Sequence, residues 1–464
     1  MAADPPKAGA HEFPAVLRGC PPSRVAPERP ARGSRWTDAA IVVALLVVAA
    51  ATRWFILGLA FDREHFSDWP DSQQYVSVAR NIALGNGWTN SWQPDPAKQP
   101  EIPFGDVGPT SFREPGFPAL IAAAFLVRGA VPTTILELNV LVQSLTVACV
   151  YVLARRLGGS RPQAAIAAAI TAIHPYFFAT TGLTAIESTV GLALVAVATA
   201  ATFAMPDCAG RGRWAPWLLL GAALGAGMNT RAIFGPLSVV LFAAVFLLGL
   251  RQGPREALRR AGTVALVAML SLTPWIARNW SVWGRPVYVT SVGMNLLIGF
   301  NDDARVGYTG TAIEAAAREA KARGLNELEA DAFYREKALS WVKEHPFDAA
   351  RLVALREAAF WQPWPNNVDD LQALVATMAE FAFLAFAAAG AVLVLRRRRQ
   401  GDMTIVALVA CYATVLPLAY AVTRYRVPLV PLLAVLAATA GAEGFRRIRD
   451  YLSEDPPEGA GATS

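Results

Sequence analysis

The sequence predicts an all-α polytopic membrane protein built as a bundle of about ten transmembrane helices. Of its 464 residues, 54% are hydrophobic and only 17% are charged, whereas about 25% of the residues in a typical soluble chain are charged. Several apolar runs reach about 18 residues, the length that spans the hydrocarbon core of a bilayer. The basic residues behind the net charge of +6 lie in short segments between these runs, so we expect membrane lipids and no nucleic acid as partners.

The runs that qualify as membrane spans are separated by polar, basic or Gly/Pro-containing segments. They lie at residues 37–61, 134–154, 163–182, 184–205, 214–230, 232–250, 261–278, 372–395, 403–422 and 427–444.

Arginine-rich segments predict the orientation, because cytoplasmic loops carry an excess of Lys and Arg. They lie at 18–35, 155–161, 211–213, 251–260, 396–399 and 445–450. The ten crossings put all of these segments on one side, so we expect them, and both termini, in the cytoplasm. The expected organisation is a disordered cytoplasmic tail (1–35), a transmembrane domain (36–444) with outer loops at 62–133 and 279–371, and a second cytoplasmic tail (445–464).

The outer loops are predicted to contain short helices. Residues 115–132 are apolar but short for a span and contain Arg128; a crossing there would reverse the charge bias of every later loop. We therefore expect two helices that lie on the membrane, near 72–84 and 116–130. Residues 311–346 are rich in Ala, Glu, Arg and Lys, which predicts a small helical cap.

Residues 67–88, SDWPDSQQYVSVARNIALGNGW, follow the first predicted span. Apolar residues recur at helical spacing, and two glycines near the end would terminate the helix. Asp71 with Gln74 three residues later is typical of a capping box. On these residues alone, Asp71 as a helix cap and Asp68 as a solvated acid is the simpler interpretation.

An aspartate shortly after the first span, followed by Y-x-x-x-A-x-x-x-x-x-G-x-G, resembles the start of the GT-C glycosyltransferases. Asp71, Tyr75, Ala79, Gly85 and Gly87 carry this pattern. More narrowly, the sequence is similar to the protein O-mannosyltransferase and aminoarabinose transferase superfamily. Further segments match in order: FREPGFPAL (112–120), VYVLARRLGG (150–159), TPWIARNWSVWGRPV (273–287), NLLIGFND (295–302), YREKALSWVKEHPFDAARLVALREAAFW (334–361) and RYRVPLVPLL (424–433).

The resemblance implies a glycosyltransferase that moves a sugar from a polyprenyl-phosphate sugar donor to an acceptor on the outer face of the membrane. A single inverting displacement needs one carboxylate, which takes the proton of the acceptor hydroxyl. Asp71 is the candidate base under this hypothesis, and Asp68 is the second candidate.

Four arginines at predicted outer boundaries are candidate ligands of the donor phosphate or lipid headgroup: Arg113, Arg278, Arg424 and Arg426. Forked guanidinium groups match phosphate oxygens. The alternative is that these side chains reach to the interface and only anchor helix ends.

Tyr75, Glu187, Arg231 and His174 are weaker candidates for the substrate pocket. Buried ionisable groups in a membrane are costly and often functional. His174 could instead satisfy a carbonyl freed by the proline that follows it, and Glu187 could lie in the interface.

The metal requirement stays open at this stage. Asp68 and Asp71 could share a divalent cation such as Mg²⁺ or Mn²⁺, but two carboxylates are not a diagnostic ligand set. The sugar, the lipid length and the acceptor (a lipid, a glycan or a protein) are equally open. The Ala/Arg-rich composition suggests a bacterial inner (plasma) membrane, with the active site on its outer face.

Other classes of protein fit parts of the pattern. A transporter or lipid flippase would carry ionisable residues near the middle of the bilayer and broken helices in repeated halves, and the sequence shows no internal repeat. A non-catalytic GT-C-like assembly partner would keep the fold and tolerate the loss of Asp71. A lipid-linked polymerase or ligase would use a diphosphate carrier.

Overall fold

The computed structural model describes residues 32–60, 70–93, 107–179, 186–204, 214–307, 309–363, 371–397, 400–418 and 423–453. These residues are almost entirely helical. Their one strand pair is short and antiparallel, with β1 at Thr89–Asn90 and β2 at Gly108–Pro109. The all-α prediction is confirmed.

The helices follow each other with short connections. They are α1 Arg32–Ala60, α2 Pro70–Ala83, α3 Gly116–Arg128, α4 Pro132–Arg156, α5 Arg161–Ile173, α6 Pro175–Ala179, α7 Ile186–Ala204, α8 Ala215–Thr230, α9 Phe234–Leu250, α10 Pro254–Trp283, α11 Val292–Gly299, α12 Thr311–Ala322, α13 Glu327–Glu344, α14 Pro346–Phe360, α15 Leu371–Arg397, α16 Gln400–Val415 and α17 Val430–Ser453. Two 3₁₀ segments, Leu416–Leu418 and Thr423–Leu429, lie between α16 and α17.

Six of the described helices are long and apolar enough to cross a membrane: Trp36–Phe55, Pro132–Arg156, Ile186–Ala204, Pro254–Trp283, Leu374–Arg397 and Arg424–Ser453. Each of the other four predicted spans overlaps a shorter helix, among α5, α8, α9 and α16. The chain is therefore a multi-pass membrane protein. The count of ten crossings and the orientation of the termini stay predictions.

Small residues let neighbouring helices of the bundle approach closely. A side chain at Gly390 of α15 would overlap the backbone carbonyl of Leu436 in α17. A Cβ at Gly221 of α8 would lie only 2.8 Å from the carbonyl oxygen of Val264 in α10. Close backbone approach of this kind is typical of helix packing in membranes.

The two short helices of the first predicted outer loop form near the predicted positions. α2 buries Tyr75, Val76 and Ala79, and α3 packs against it with a face that includes Phe117 and Ile121. α2 ends before Gly85, whose φ of 84° suits glycine. Whether these helices lie on the membrane stays a prediction.

Helices α11–α14 form the cap, with a separate hydrophobic core. Arg356 of α14 joins this cap to the bundle. Its guanidinium is fully buried and donates to the carbonyls of Gly299, Arg305 and Leu418. These bonds satisfy a buried charge that has no carboxylate within ion-pair distance among the described residues.

The close contact between α15 and α17 predicts that Gly390→Ala destabilises the protein. Overpacking a buried contact typically costs about 1–3 kcal/mol, so the thermal midpoint of the purified protein should fall. Gly441→Ala is the matched control, because nothing lies within 4 Å of a Cβ there. Equal midpoints for the two variants would contradict this account of the packing.

Candidate functional site

Asp71 lies where three segments far apart in the sequence meet. It occupies the first turn of α2, and its Oδ1 accepts a hydrogen bond from Arg113 Nη2 at 2.5 Å. Its Oδ2 accepts one from Arg424 Nη2 at 3.1 Å. Charge-assisted bonds of this kind are stronger than neutral ones. The carboxylate therefore ties the 107–115 segment and the 423–429 segment to α2.

The start of α2 differs from the predicted capping box. The helix begins at Pro70, so Asp71 is inside the first turn and is not the N-cap. Gln74 Oε1 accepts from Arg113 Nε at 2.7 Å. Residues three apart share one helix face, so Asp71 and Gln74 together bind the same guanidinium. A long-range contact has taken the place of the local one.

Aromatic rings set the direction of the Arg113 side chain. The guanidinium carbon lies 5.0 Å from the centre of the Tyr75 ring and 5.0 Å from that of Phe112. Tyr75 in turn packs edge-on against Phe117 at 5.0 Å. Cation–π contacts of this length are favourable where water is partly excluded, and only 13% of the Arg113 side chain is exposed.

Arg424 has further neighbours in the site, and a third arginine, Arg231, lies close to it. Arg424 Nε lies 3.7 Å from Glu187 Oε1 in the first turn of α7, a helix end that favours negative charge. The guanidinium carbons of Arg424 and Arg231 lie 5.4 Å and 5.8 Å from the centre of the Tyr425 ring. Arg231 is the C-cap residue of α8.

Glu114 completes the arrangement at the end of α8. The backbone N–H of Ala232 donates to Glu114 Oε1 at 2.6 Å. The chain next to Glu114 also approaches α8 closely, since a Cβ added to Gly116 would be 2.7 Å from the carbonyl oxygen of Asn229. The resulting charge cluster contains the carboxylates Asp71, Glu114 and Glu187 and the arginines Arg113, Arg231 and Arg424. Five of these six residues were singled out from the sequence as site candidates, and Glu114 was not.

The cluster keeps Asp71 ionised. Burial by itself raises the pKa of this carboxyl, but the positive charges of Arg113 and then of Arg424 outweigh burial and lower its pKa to about 2. The stability that the ion pairs contribute is therefore present above the ordinary aspartate pKa. It is lost only as the pH falls through about 2.

Tyr75 presents a buried hydroxyl without a hydrogen-bond partner among the described residues. Its side chain is 2% exposed, and burial is the main cause that raises its pKa to about 12. It is thus a protonated donor at neutral pH. Buried polar groups are normally paired, so this hydroxyl is suited to a ligand atom.

Arg278 was a predicted phosphate ligand, and the structure gives it other partners. It donates to the carbonyl oxygens of Thr110 at 2.8 Å and Trp88 at 2.7 Å, and to Ser111 Oγ at 3.0 Å. The end of α10 lies beside the segment that precedes Arg113, so Arg278 holds that segment in place. It does not contact Asp71.

Arg426 and His174 also lie apart from Asp71. Arg426 donates to Glu380 Oε1 at 2.8 Å and to the carbonyl oxygens of Phe360 and Gln362. His174 Nε2 lies 3.0 Å from the other oxygen of Glu380. Both terminal nitrogens of Arg426 thus donate to protein atoms, at a place away from Asp71.

Two buried carboxylates of this network were missed in the sequence. Glu327 accepts from Thr110 Oγ1 at 2.7 Å and from the Ser111 backbone N–H at 2.8 Å, and nothing local marks it. Glu380 stands alone in an apolar run. An acid inside a predicted span is costly and often functional, so this signal was available.

Asp68 lies outside the described residues. Among the residues that the structure describes, no group of three or more His, Cys, Asp or Glu side chains could hold a metal ion. Arginines donate to both oxygens of Asp71, and the cation shared by Asp68 and Asp71 stays a prediction.

The middle of the chain matches a known protein family. Residues 109–278 match the family described as dolichyl-phosphate-mannose-protein mannosyltransferase. That range includes Arg113, Arg231 and Arg278 and excludes Asp71 and Arg424. No curated protein matches the sequence at a significant level.

Solved structures share the fold. The oligosaccharyltransferase AglB from Archaeoglobus fulgidus, in complex with an inhibitory peptide and a dolichol-phosphate, is 15% identical with a TM-score of 0.54. The apo form of the A. fulgidus oligosaccharyltransferase gives the same values, and each alignment covers 93% of this chain and 53% of that chain. The chain thus spans about half the length of that enzyme.

A third structure, ArnT from Cupriavidus metallidurans bound to undecaprenyl phosphate, is 15% identical and covers 90% of this chain and 81% of that chain, with a TM-score of 0.40. The chain is a multi-pass membrane protein that shares its fold with the A. fulgidus oligosaccharyltransferase, and its residues 109–278 match a mannosyltransferase family.

Proposed function

We propose that the chain transfers a sugar from a polyprenyl-phosphate sugar donor to an acceptor at the outer face of the membrane. The observation that carries the proposal is the Asp71 carboxylate held between Arg113 and Arg424. The fold is shared with an enzyme whose structure was determined with a dolichol-phosphate, and the family match is to mannosyltransferases that use a dolichyl-phosphate sugar. Both support this class of donor.

Phosphate recognition is assigned to Arg113, Arg424 and Arg231. Guanidinium groups bind phosphate oxygens through forked donors. Arg113 and Arg424 each donate a hydrogen bond from Nη2 to Asp71. An incoming phosphate therefore competes with the carboxylate for these donors. Arg278 and Arg426 support the segments that carry these side chains and are not part of the proposed phosphate site.

Competition for the arginines would also activate the base. A carboxylate whose pKa is about 2 is a weak proton acceptor, since the best catalytic base has a pKa near the working pH. When phosphate draws Arg113 and Arg424 away, the charges that lower the pKa of Asp71 are neutralised and its basicity rises. Donor binding would thus prepare Asp71 for catalysis.

The proposed reaction is one displacement. The acceptor oxygen bonds to the anomeric carbon of the sugar and its proton passes to Asp71. The bond between that carbon and the phosphate oxygen breaks, and polyprenyl phosphate leaves with the electron pair. The configuration at the carbon inverts, and no covalent sugar–enzyme intermediate is needed. The arginines stabilise the charge that grows on the phosphate.

Tyr75 and Glu187 are assigned to the donor pocket. The unpartnered hydroxyl of Tyr75 would donate to an oxygen of the bound donor, and Glu187 would hold Arg424 when the phosphate loosens its bond to Asp71. The proposed location is a bacterial inner membrane. The proposed cytoplasmic termini put this site on the outer face of that membrane.

Replacing the proposed base should abolish transfer. The purified protein in lipid is incubated with labelled polyprenyl-phosphate mannose, arabinose, glucose or aminoarabinose and a membrane extract. We expect label to leave one donor, and Asp71→Asn to slow this release by about 100-fold or more. Turnover that survives the substitution would contradict the role of Asp71, and no release from any donor would favour a transporter or an assembly partner.

Asp38→Asn is the matched control for this assay. Asp38 also lies between two arginines, at 3.3 Å from Arg155 and 3.0 Å from Arg161, but it lies near the start of α1 and outside the charge cluster. Its loss should leave turnover near the wild-type rate.

Removing Arg113 should raise the pKa of Asp71. Arg113 makes the largest contribution that lowers this pKa, so in Arg113→Gln burial is opposed only by the charges of Arg424 and Arg231. We expect the Asp71 resonance of ¹³C-aspartate-labelled protein, identified by its absence in Asp71→Asn, to titrate at a clearly higher pH. Arg128→Gln, which removes an exposed partner of Glu137, should leave it unchanged. An unmoved titration in Arg113→Gln would refute the electrostatic account.

Tyr75→Phe should separate stability from binding. Because the hydroxyl has no partner among the described residues, its removal relieves a buried unpaired group and should leave the thermal midpoint unchanged or higher. The affinity for polyprenyl phosphate, measured by tryptophan fluorescence, should fall by about tenfold, the loss of one hydrogen bond to a charged group. A lower midpoint with unchanged affinity would assign the hydroxyl a structural role.

A further inference from the structure

Arg424, which binds Asp71, lies on a short 3₁₀ segment, Thr423–Leu429. The segment contains Pro428 and is flanked by residues 419–422, which are not described. The hydrogen bonds of a 3₁₀ helix are weaker than those of an α-helix. Something other than its own backbone must therefore fix the direction of Arg424.

Arg426, two residues further on, connects the same segment to the bundle. A 3₁₀ helix turns by about 120° per residue, so Arg424 and Arg426 leave the segment on different sides. Arg426 is 2% exposed. It donates to the carbonyls of Phe360 and Gln362 at 2.6 Å and 2.9 Å, and to Glu380 Oε1 at 2.8 Å.

Glu380 is the centre of this buried chain of contacts. It lies on α15 with a side chain that is 4% exposed, and its second oxygen lies 3.0 Å from His174 Nε2. His174 and Glu380 are thus in direct contact. Glu380 therefore joins the Arg426 side of the 423–429 segment to the junction of α5 and α6.

Apolar packing closes the same region. The His174 ring contacts Phe383 at 4.8 Å, edge to face, one helical turn beyond Glu380. Phe177, Val427 and Val430 form a small buried cluster beside it. The ion pair between Glu380 and Arg426 is thus shielded from water. In such an interior, a carboxylate and a guanidinium attract each other more strongly than at a surface.

We infer that Glu380 is a positioning residue: through Arg426 it fixes the 423–429 segment so that Arg424 meets Asp71 and, on the proposed function, the donor phosphate. Glu380 itself touches neither Asp71 nor the donor. His174 supports Glu380 from the opposite side. The 423–429 segment thus carries two ion pairs on different sides, Arg426–Glu380 and Arg424–Asp71. The Arg426–Glu380 pair fixes the segment and so sets the geometry of the Arg424–Asp71 pair.

Hydrogen exchange of the whole protein in lipid tests the inference without any substrate. Glu380→Gln keeps the shape and removes the charge, so backbone exchange of the peptide that covers 423–429 should become faster. Glu256→Gln is the matched control. It removes a carboxylate 2.7 Å from Arg260 near the start of α10, roughly 33 Å along that helix from Arg278, and should leave this peptide unchanged. Unchanged exchange in Glu380→Gln would overturn the inference.

Donor kinetics provide the second measurement. Glu380→Gln should raise the apparent KM for the polyprenyl-phosphate sugar by about tenfold or more. Arg424→Gln should do the same, and the double variant should be no worse than Arg424→Gln alone. Multiplied effects would mean that the two residues act independently and would overturn the inference. Glu380→Asp, which keeps the charge on a shorter side chain, should recover part of the affinity and replaces the glutamine variant if that variant does not fold.

The two measurements separate the inference from the function on which it rests. If the wild type turns over no donor, the proposed function fails and the exchange result alone decides the role of Glu380. If turnover is normal and Glu380→Gln changes neither exchange nor KM, the positioning role fails and the proposed function stands.

Discussion

The contact of Asp71 with Arg113 and Arg424 is the interaction on which the rest of the site depends. It joins residues that are 42 and 353 positions apart in the chain. Closing such long loops costs conformational entropy, and a carboxylate in a partly dry site needs positive partners to stay charged. The same contact therefore determines the charge of Asp71 and the relative positions of three segments.

Each arginine of this contact has its own support. Behind Arg113, Arg278 and Glu327 hold residues 110–111 through a backbone carbonyl, a backbone N–H and two side-chain hydroxyls. Behind Arg424, Arg426 and Glu380 anchor the 423–429 segment. Buried ion pairs contribute little net stability because of the cost of desolvation, whereas loss of one partner is strongly destabilising. Their value here is in geometry, since they fix where the charges of the site lie.

The alternation of charge in the cluster has a chemical consequence. Three carboxylates and three arginines keep the site close to neutral without a ligand, so every arginine that would bind a phosphate already has a protein partner nearby. A phosphate group can replace such a partner with little change in the number of charge-assisted bonds. The unpartnered hydroxyl of Tyr75 is different, since it gains a bond that the described residues do not offer.

Local sequence patterns predicted the helices well. The apolar runs, the glycine end of α2 and the short helix at 116–128 all follow from interactions within a few residues, and hydropathy and helix propensity report these directly. The resemblance to GT-C enzymes also selected Asp71, Arg113 and Arg424 as site candidates. The predicted capping box of Asp71 was wrong, because a local pattern cannot report that an arginine from another segment takes the carboxylate.

What the sequence by itself determined is the class of the protein, an all-α membrane protein, and the acidic and basic residues available for chemistry. Only the tertiary structure decided which arginine has which task. Arg424 and Arg426 stand two residues apart in RYR and have the same side chain, yet one contacts Asp71 and the other is buried against Glu380. The difference comes from the direction in which each leaves a 3₁₀ turn and from which distant helix lies there, and neither is encoded in the nearby sequence.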